Sequence, residues 1–258
     1  MKILVPVKRI AALEEDFEIR DDGRDVDGDF INWDLNEWDD YSLETAMQIK
    51  EAAGGEPEVV VVTVGPDDAE EVLRKCLAKG ADRAIRVWDD ALEGADQLAI
   101  ARVLAGVAKT EAPDLILAGV QSSDHSHGCT GIALSALLDM PHAAVVAAMT
   151  YSAGDAKVRV QRELEGGMLH AVDVSTPAVL TIQLGINTPR YASLRGIKQA
   201  AARPIEELSA ADLGADFASA SRVRRMYVPE KSRAQMIEGS PAEQAARIAE
   251  IIREATGA

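Results

Sequence analysis

The stretch DLILAGVQSSDHSHGCTGIALSALL, residues 114–138, decides the fold class. Leu115-Ile116-Leu117-Ala118 is a short aliphatic run, the pattern of a strand buried on both faces. It breaks at Gly119 into a loop, residues 119–131, rich in glycine, serine and threonine. An apolar helix leaves that loop at about residues 130–138. Strand, polar loop and helix in that order make the opening of a parallel β–α–β crossover.

Upstream, the same unit recurs. KILVPVK (residues 2–8) precedes a helix over about 38–53, on which Trp38, Tyr41, Leu43, Ala46, Met47 and Ile49 share an apolar side. EVVVVTV (58–64) precedes a helix over 68–79, with Gly80 where a C-cap glycine belongs. Cys76 keeps step with Val72 and Leu73 and reads as a core thiol. Residues 83–87 and 96–110 give the third pair. Four strand–helix repeats specify a parallel sheet with right-handed crossovers. Residues 18–26 interrupt the first unit and read as a hairpin turning at Asp22-Gly23.

Downstream of Pro141 the period changes. Residues 157–164 and 168–174, joined by Glu165-Gly166-Gly167, form a hairpin signal, and 178–184 is a further strand. Residues 185–203 read as a long irregular stretch. The tail carries Arg222, Arg224, Arg225, Lys231 and Arg233. It ends in a helix opened by the capping box Ser240-Pro241-Ala242-Glu243, with Ile248, Ile251 and Ile252 as its apolar face. The expected organisation is an α/β domain over 1–205, then an arm and helix over 206–258 packed on that core or on a partner.

Of 258 residues, 47% are hydrophobic but only 4% aromatic, so branched aliphatics and alanine must fill the core. A net charge of −16 repels polyanions and argues against nucleic acid as a partner. The two cysteines form no C-x-x-C pair or ligand cluster. The start shows no signal-peptide pattern, and no apolar run approaches the ~20 residues of a membrane span, so a cytoplasmic protein is expected.

Open α/β sheets bind ligands beyond the carboxyl ends of their strands. The loop 119–131 lies at such an end, and two readings of it stand: an ordinary solvated loop, or a phosphate cradle built from backbone N–H groups, a helix amino end and the hydroxyls of Ser122, Ser123, Ser126 and Thr130. It is neither a Walker A sequence nor a G-x-G-x-x-G. His125 and His127 alternate along it, but no carboxylate or cysteine cluster completes a metal site. No Ser/His/Asp set has a nucleophile-elbow pattern. In Asn36-Glu37-Trp38-Asp39-Asp40, Asn36 or Asp39 is expected to cap the first helix; the alternative is that this turn packs beside a planar ligand.

Several phrases, in order and spacing, resemble the β subunit of an electron transfer flavoprotein over most of the chain. They are Ile3-Leu4-Val5-Pro6-Val7-Lys8-Arg9, Asn36-Glu37-Trp38-Asp39, Val64-Gly65-Pro66, Leu77-Ala78-Lys79-Gly80-Ala81-Asp82-Arg83, Arg162-Glu163-Leu164-Glu165-Gly166-Gly167 and Pro189-Arg190-Tyr191-Ala192-Ser193-Leu194. The phrase Ala118-Gly119-Val120-Gln121-Ser122-Ser123-Asp124 is closest to the methylotroph branch, whose flavoproteins take electrons from trimethylamine dehydrogenase.

The resemblance implies a doubly wound, mostly parallel, Rossmann-like fold with an added hairpin, paired with an α subunit that carries most of the FAD site. It implies an electron carrier subunit with a structural AMP. The AMP contacts carried over fall at Pro6, Asn36, Glu37, Trp38, Asp39 and Val64. They continue through Asp124, His125, Ser126, His127, Gly128, Cys129, Thr130, Gly131, Ile132, Ala133, Leu134 and Ser135. This sequence departs from the family pattern over residues 124–129. Leu13 and Trp38 are implied beside the flavin, and Leu194, with Tyr191, in partner recognition within 185–203. The rival readings are an ATP-hydrolysing or adenylating α/β enzyme, and a nucleotide sensor resembling universal stress proteins.

Overall fold

A computed structural model of the chain describes all residues except 13–16, 215, 230–233, 235 and 258. Two compact units result, Met1–Arg225 and Met226–Ala258. The first contains β1 (Lys2–Pro6), β2 (Arg9–Ala12), β3 (Asn32–Leu35), α1 (Glu37–Ala52), β4 (Glu58–Val64), α2 (Glu70–Lys79), β5 (Arg83–Val87), α3 (Gln97–Glu111) and β6 (Leu115–Gly119). It continues with α4 (Thr130–Leu138), β7 (His142–Thr150), β8 (Lys157–Glu163), β9 (Leu169–Ser175), β10 (Ala178–Ile182), α5 (Leu194–Ala202) and β11 (Glu206–Leu208). The second unit holds α6 (Pro241–Thr256).

The main sheet has the order β11-β5-β4-β1-β6-β10-β7-β8-β9. It is parallel from β11 through β7, and the β8–β9 hairpin adds two antiparallel strands at the far edge. Its strands are aliphatic on both faces because helices cover both faces. Ile3, Val5, Val59, Val61, Leu115 and Leu117 meet Leu43 and Met47 of α1 and Leu73 and Cys76 of α2. Leu4, Val60, Val62 and Ile116, one residue out of step, meet Val103, Leu104 and Val107 of α3 and Leu134 of α4 on the other face. Each such fully buried side chain is worth roughly 1.5–3 kcal/mol, so alternate positions of one strand fasten two helical layers. Cys76 lies in this core, and burial pushes its thiol up, as a core thiol requires. Gly80 ends α2 at φ 118°.

The 18–26 segment forms the expected small hairpin: Ile19 bridges Val26, the Arg20 N–H donates to the Asp25 carbonyl at 2.9 Å and the Asp27 N–H to the Glu18 carbonyl at 2.8 Å, with a longer ribbon, β2–β3, on either side of it. Three features differ from the sequence expectations. β7, unread in the sequence, supplies the strand on which the hairpin is hung. The stretch 185–203 is not irregular throughout, since its second half is α5, capped by the Ser193 hydroxyl accepting the Gly196 N–H at 3.0 Å. Residues 206–225 belong with the first unit instead of beginning the arm: β11 pairs with β5, and the Asp96 carboxylate accepts the N–H groups of Ala220 and Ser221.

In the second unit Ser240 and Glu243 close the expected capping box, and Ile248, Ile251 and Ile252 are exposed along α6. Arg222, Arg224 and Arg225 are exposed, whereas Lys231 and Arg233 lie outside the described residues. No helix among the described residues is long and apolar enough to cross a membrane.

Candidate functional site

The chain leaves β1 to one side for β4 and β5, then returns past β1 to place β6 on its other side. That reversal opens a crevice at the carboxyl ends of β1, β4 and β6, where diverging loops cannot fill the space. A cavity of about 230 Å³ lies there. Pro6, Val7 and Lys8 come from the end of β1, Val62 and Val64 from β4, and Ala118 through Ser122 from β6 and its loop. Asn36 and Asp39 of the α1 entry, Gln97, Ile100 and Leu104 of α3, and Gly128 through Gly131 at the α4 entry complete most of the wall.

Asn36 and Asp39 do not cap α1. Asn36 stands at the N-cap position, yet its side chain makes no capping bond. Its amide donates to the Gln121 carbonyl at 2.9 Å, and its side-chain oxygen accepts the Ser123 N–H at 3.3 Å. Asp39 accepts the Lys8 N–H at 2.8 Å and the Gly119 N–H at 3.1 Å. The capping expectation fails because two strand-end loops leave buried N–H groups that need acceptors, and the α1 entry is what reaches them.

Burial pushes the Asp39 carboxyl up to about 7, against the pull of the Lys8 and Gly119 N–H groups, Asn36 and the lysine charge. The folded chain therefore holds this proton more tightly than the unfolded chain, and stability is lost as pH rises from about 4 to about 7. Asp39→Asn removes that dependence. Between about pH 5 and pH 8 the wild type should lose some 2–3 kcal/mol relative to the variant in urea unfolding. A difference that stays flat with pH would contradict a protonated Asp39.

Lys8 forms the polar corner. Its ammonium reaches both Asp124 carboxylate oxygens at 2.7 Å, the Ser122 hydroxyl at 3.2 Å and the His125 Nδ1 at 3.0 Å. A lysine donating to Nδ1 requires the neutral ring with its proton on Nε2, and desolvation beside Lys8 lowers the His125 pKa. The lysine holds the Asp124 carboxyl below its ordinary range against desolvation. Lys8 is the one lysine or arginine among the described wall residues, and Asp124 already neutralises it.

Among the residues implied by resemblance, Pro6, Asn36, Asp39, Val64, His125, His127, Gly128, Cys129, Thr130 and Gly131 line the cavity. Glu37, Trp38, Asp124, Ser126, Ile132, Ala133, Leu134 and Ser135 do not. Leu134 sits in the core, and Ser135 is buried with its hydroxyl donating to the Ile132 carbonyl. Glu37 is exposed. Trp38 is half-buried, its indole N–H donating to Gln183 at 3.0 Å. Leu13 lies outside the described residues. Lys8 and the α3 wall were missed; a lysine directly after an aliphatic strand was the available signal for Lys8, whereas nothing local marks Gln97, Ile100 and Leu104. No three His, Cys, Asp or Glu side chains among the described residues are grouped to hold a metal.

A second feature lies away from the cavity. Leu194 opens α5 with 83% of its surface exposed, beside Tyr191 at 97% and half-exposed Ile197. Gly196 sets α5 against α2, since a Cβ there would fall inside 3.0 Å of the Ala78 carbonyl oxygen.

Comparison with known proteins matches residues 29–213 to the electron transfer flavoprotein domain. The chain is 64% identical, across the whole of both sequences, to the electron transfer flavoprotein subunit beta of Methylophilus methylotrophus. It is 38% identical to that of Bradyrhizobium diazoefficiens over 89% of this chain and 90% of the relative. With the Bacillus subtilis subunit it shares 34% identity over 98% of each.

Proposed function

The chain belongs to the electron transfer flavoprotein family, and from that premise we propose that it holds AMP in the strand-end cavity, completes an FAD site with its α subunit and docks trimethylamine dehydrogenase through Leu194. The family makes it an electron carrier subunit rather than an enzyme, and a β subunit implies an α subunit. It works, on this proposal, in the cytoplasm, passing electrons from the dehydrogenase toward the respiratory chain.

The observation that supports AMP is the cavity's charge. A single phosphate finds backbone N–H groups at the α4 entry, the Thr130 hydroxyl and Lys8, which suits a monophosphate. A triphosphate would crowd several negative charges beside one lysine that Asp124 already pairs. This favours a permanently held AMP over the ATP-consuming readings. The nucleotide would join β1, β6, α1 and α4, so its role is to consolidate the fold.

For FAD, the chain offers Trp38, outside the cavity and held by Gln183, as part of one wall, with Leu13 proposed beside it. The flavin when bound supplies the redox chemistry; this chain's residues orient it from one side and keep water from that side. The docking proposal rests on Leu194, because a leucine this exposed on an ordered helix suits a small apolar anchor for a transient contact. The dehydrogenase is proposed from the full-length identity to the methylotroph subunit.

Leu194→Ala tests the docking role. Truncating an anchor leucine costs about 2 kcal/mol, so flavin reduction by limiting trimethylamine dehydrogenase should slow roughly thirtyfold, with FAD content unchanged. Unchanged reduction kinetics would remove Leu194 from the docking surface.

A further inference from the structure

The segment before α5 has no regular secondary structure over residues 186–193, yet two of its side chains bind it to α1. Asn187 donates to the Tyr41 carbonyl at 3.1 Å and to the Thr45 hydroxyl at 2.8 Å. Arg190 engages two carboxylates of α1 at once. Its Nε and one terminal nitrogen meet the two oxygens of Glu44 at 2.7 and 3.1 Å, and its terminal nitrogens meet those of Glu51 at 2.5 and 3.1 Å. Its own N–H adds a bond to Glu44 at 3.2 Å. Glu44 is buried and Glu51 exposed, so the guanidinium plugs the edge of the core and grips the surface of one helix. At the far end of α5, Arg74 of α2 donates to the carbonyls of Ala200 and Arg203 at 2.9 and 2.6 Å.

Tyr191 and Leu194, the exposed pair, lie one and four residues beyond Arg190. A segment without ladder bonds would otherwise lose backbone entropy at every residue on being fixed, and that cost would fall on docking. We propose that Arg190 is a positioning residue for partner docking: clamped to Glu44 and Glu51, it holds residues 187–193 so that Tyr191 and Leu194 are presented already ordered. This rests on the reading of Leu194 as the docking anchor. Arginine is needed because only its planar fork serves two carboxylates bidentately.

The test uses the flavin-loaded heterodimer with trimethylamine dehydrogenase as electron donor. Arg190→Lys keeps a counter-charge for buried Glu44 but loses the double fork, which protects folding. Glu51→Gln, at the exposed end of the clamp, is the second variant. Both should raise the KM for the flavoprotein, Arg190→Lys by about tenfold, while kcat stays within about twofold and FAD content is unchanged. Amide hydrogen exchange should quicken in residues 187–193 and remain as in the wild type in α1. Adding Arg190→Lys to Leu194→Ala should raise KM by less than the two single effects combined, because with Leu194 gone only Tyr191 remains to be presented. If Leu194→Ala raises KM but Arg190→Lys leaves it unchanged, or if the two effects simply add, the positioning role is overturned. If Leu194→Ala itself leaves KM unchanged, the docking reading fails, and this inference with it.

Discussion

Gly119→Ala should leave the protein about 3 kcal/mol less stable than the wild type and strip the nucleotide from it. Gly119 ends β6, paired with Ile182, and its N–H donates to the buried Asp39 carboxyl at 3.1 Å. An added Cβ would overlap that carboxyl oxygen and stand 2.7 Å from the Trp38 Cβ and 3.2 Å from the Trp38 carbonyl carbon. The two Trp38 atoms are a Cβ and a backbone carbon, and the Asp39 carboxyl is pinned from its other oxygen by the Lys8 N–H. The first turn of α1 must therefore move off β6, and Asp39 loses its Gly119 donor inside a site where a buried acceptor is costly to leave unpaired. Asn36 moves with that turn, freeing Gln121 and Ser123 and opening the loop that edges the cavity. A urea midpoint and nucleotide content equal to the wild type would refute the close approach.

Gly196→Ala should destabilise the protein by about 2 kcal/mol, although the same change at an open helical site stabilises by up to ~1 kcal/mol. Gly196 lies in the first turn of α5 with no left-handed backbone to excuse a glycine. Its reason is contact: a Cβ would collide with the backbone oxygen of Ala78 in α2, which cannot swing aside. α5 would lift from α2 and carry Leu194 with it, so docking to trimethylamine dehydrogenase should weaken alongside stability. The reversal of sign is the informative part. A variant as stable as the wild type, or more so, would show that α5 does not seat on α2 as described.

The parts of this fold that could be read in the sequence are those written as uninterrupted aliphatic runs. Residues 58–64 announce a strand because helices must cover both of its faces, and Gly80 and Ser240 mark helix ends by local chemistry alone. β7 could not be read that way: His142-Ala143-Ala144-Val145-Val146-Ala147-Ala148-Met149-Thr150 has neither alternation nor β-branched density, and Val145 kinks it at φ 59°. β2, β3 and β11 are too short to show a period. α5 was hidden by Gly196, which lowers helix propensity for a reason that lies in α2.

The site divides in the same way. Loop 119–131 was legible as a glycine- and hydroxyl-rich turn between strand and helix. The roles of Asn36 and Asp39 were not, because local capping and a tertiary demand for acceptors call on the same residue types, and only the fold shows the second winning. Helix periodicity could place Ile100 and Leu104 on a helix, but not say that they face a cavity. Trp38 reads in the sequence as a large aromatic at a turn, but its indole N–H bonds to Gln183 and it does not line the cavity.

The most direct test is to purify the chain together with its α subunit, release the bound nucleotides with acid and quantify them. A yellow complex that yields AMP and FAD in equal amounts is the expected result. A colourless complex, or one that releases FAD without AMP or with ATP in its place, would contradict it.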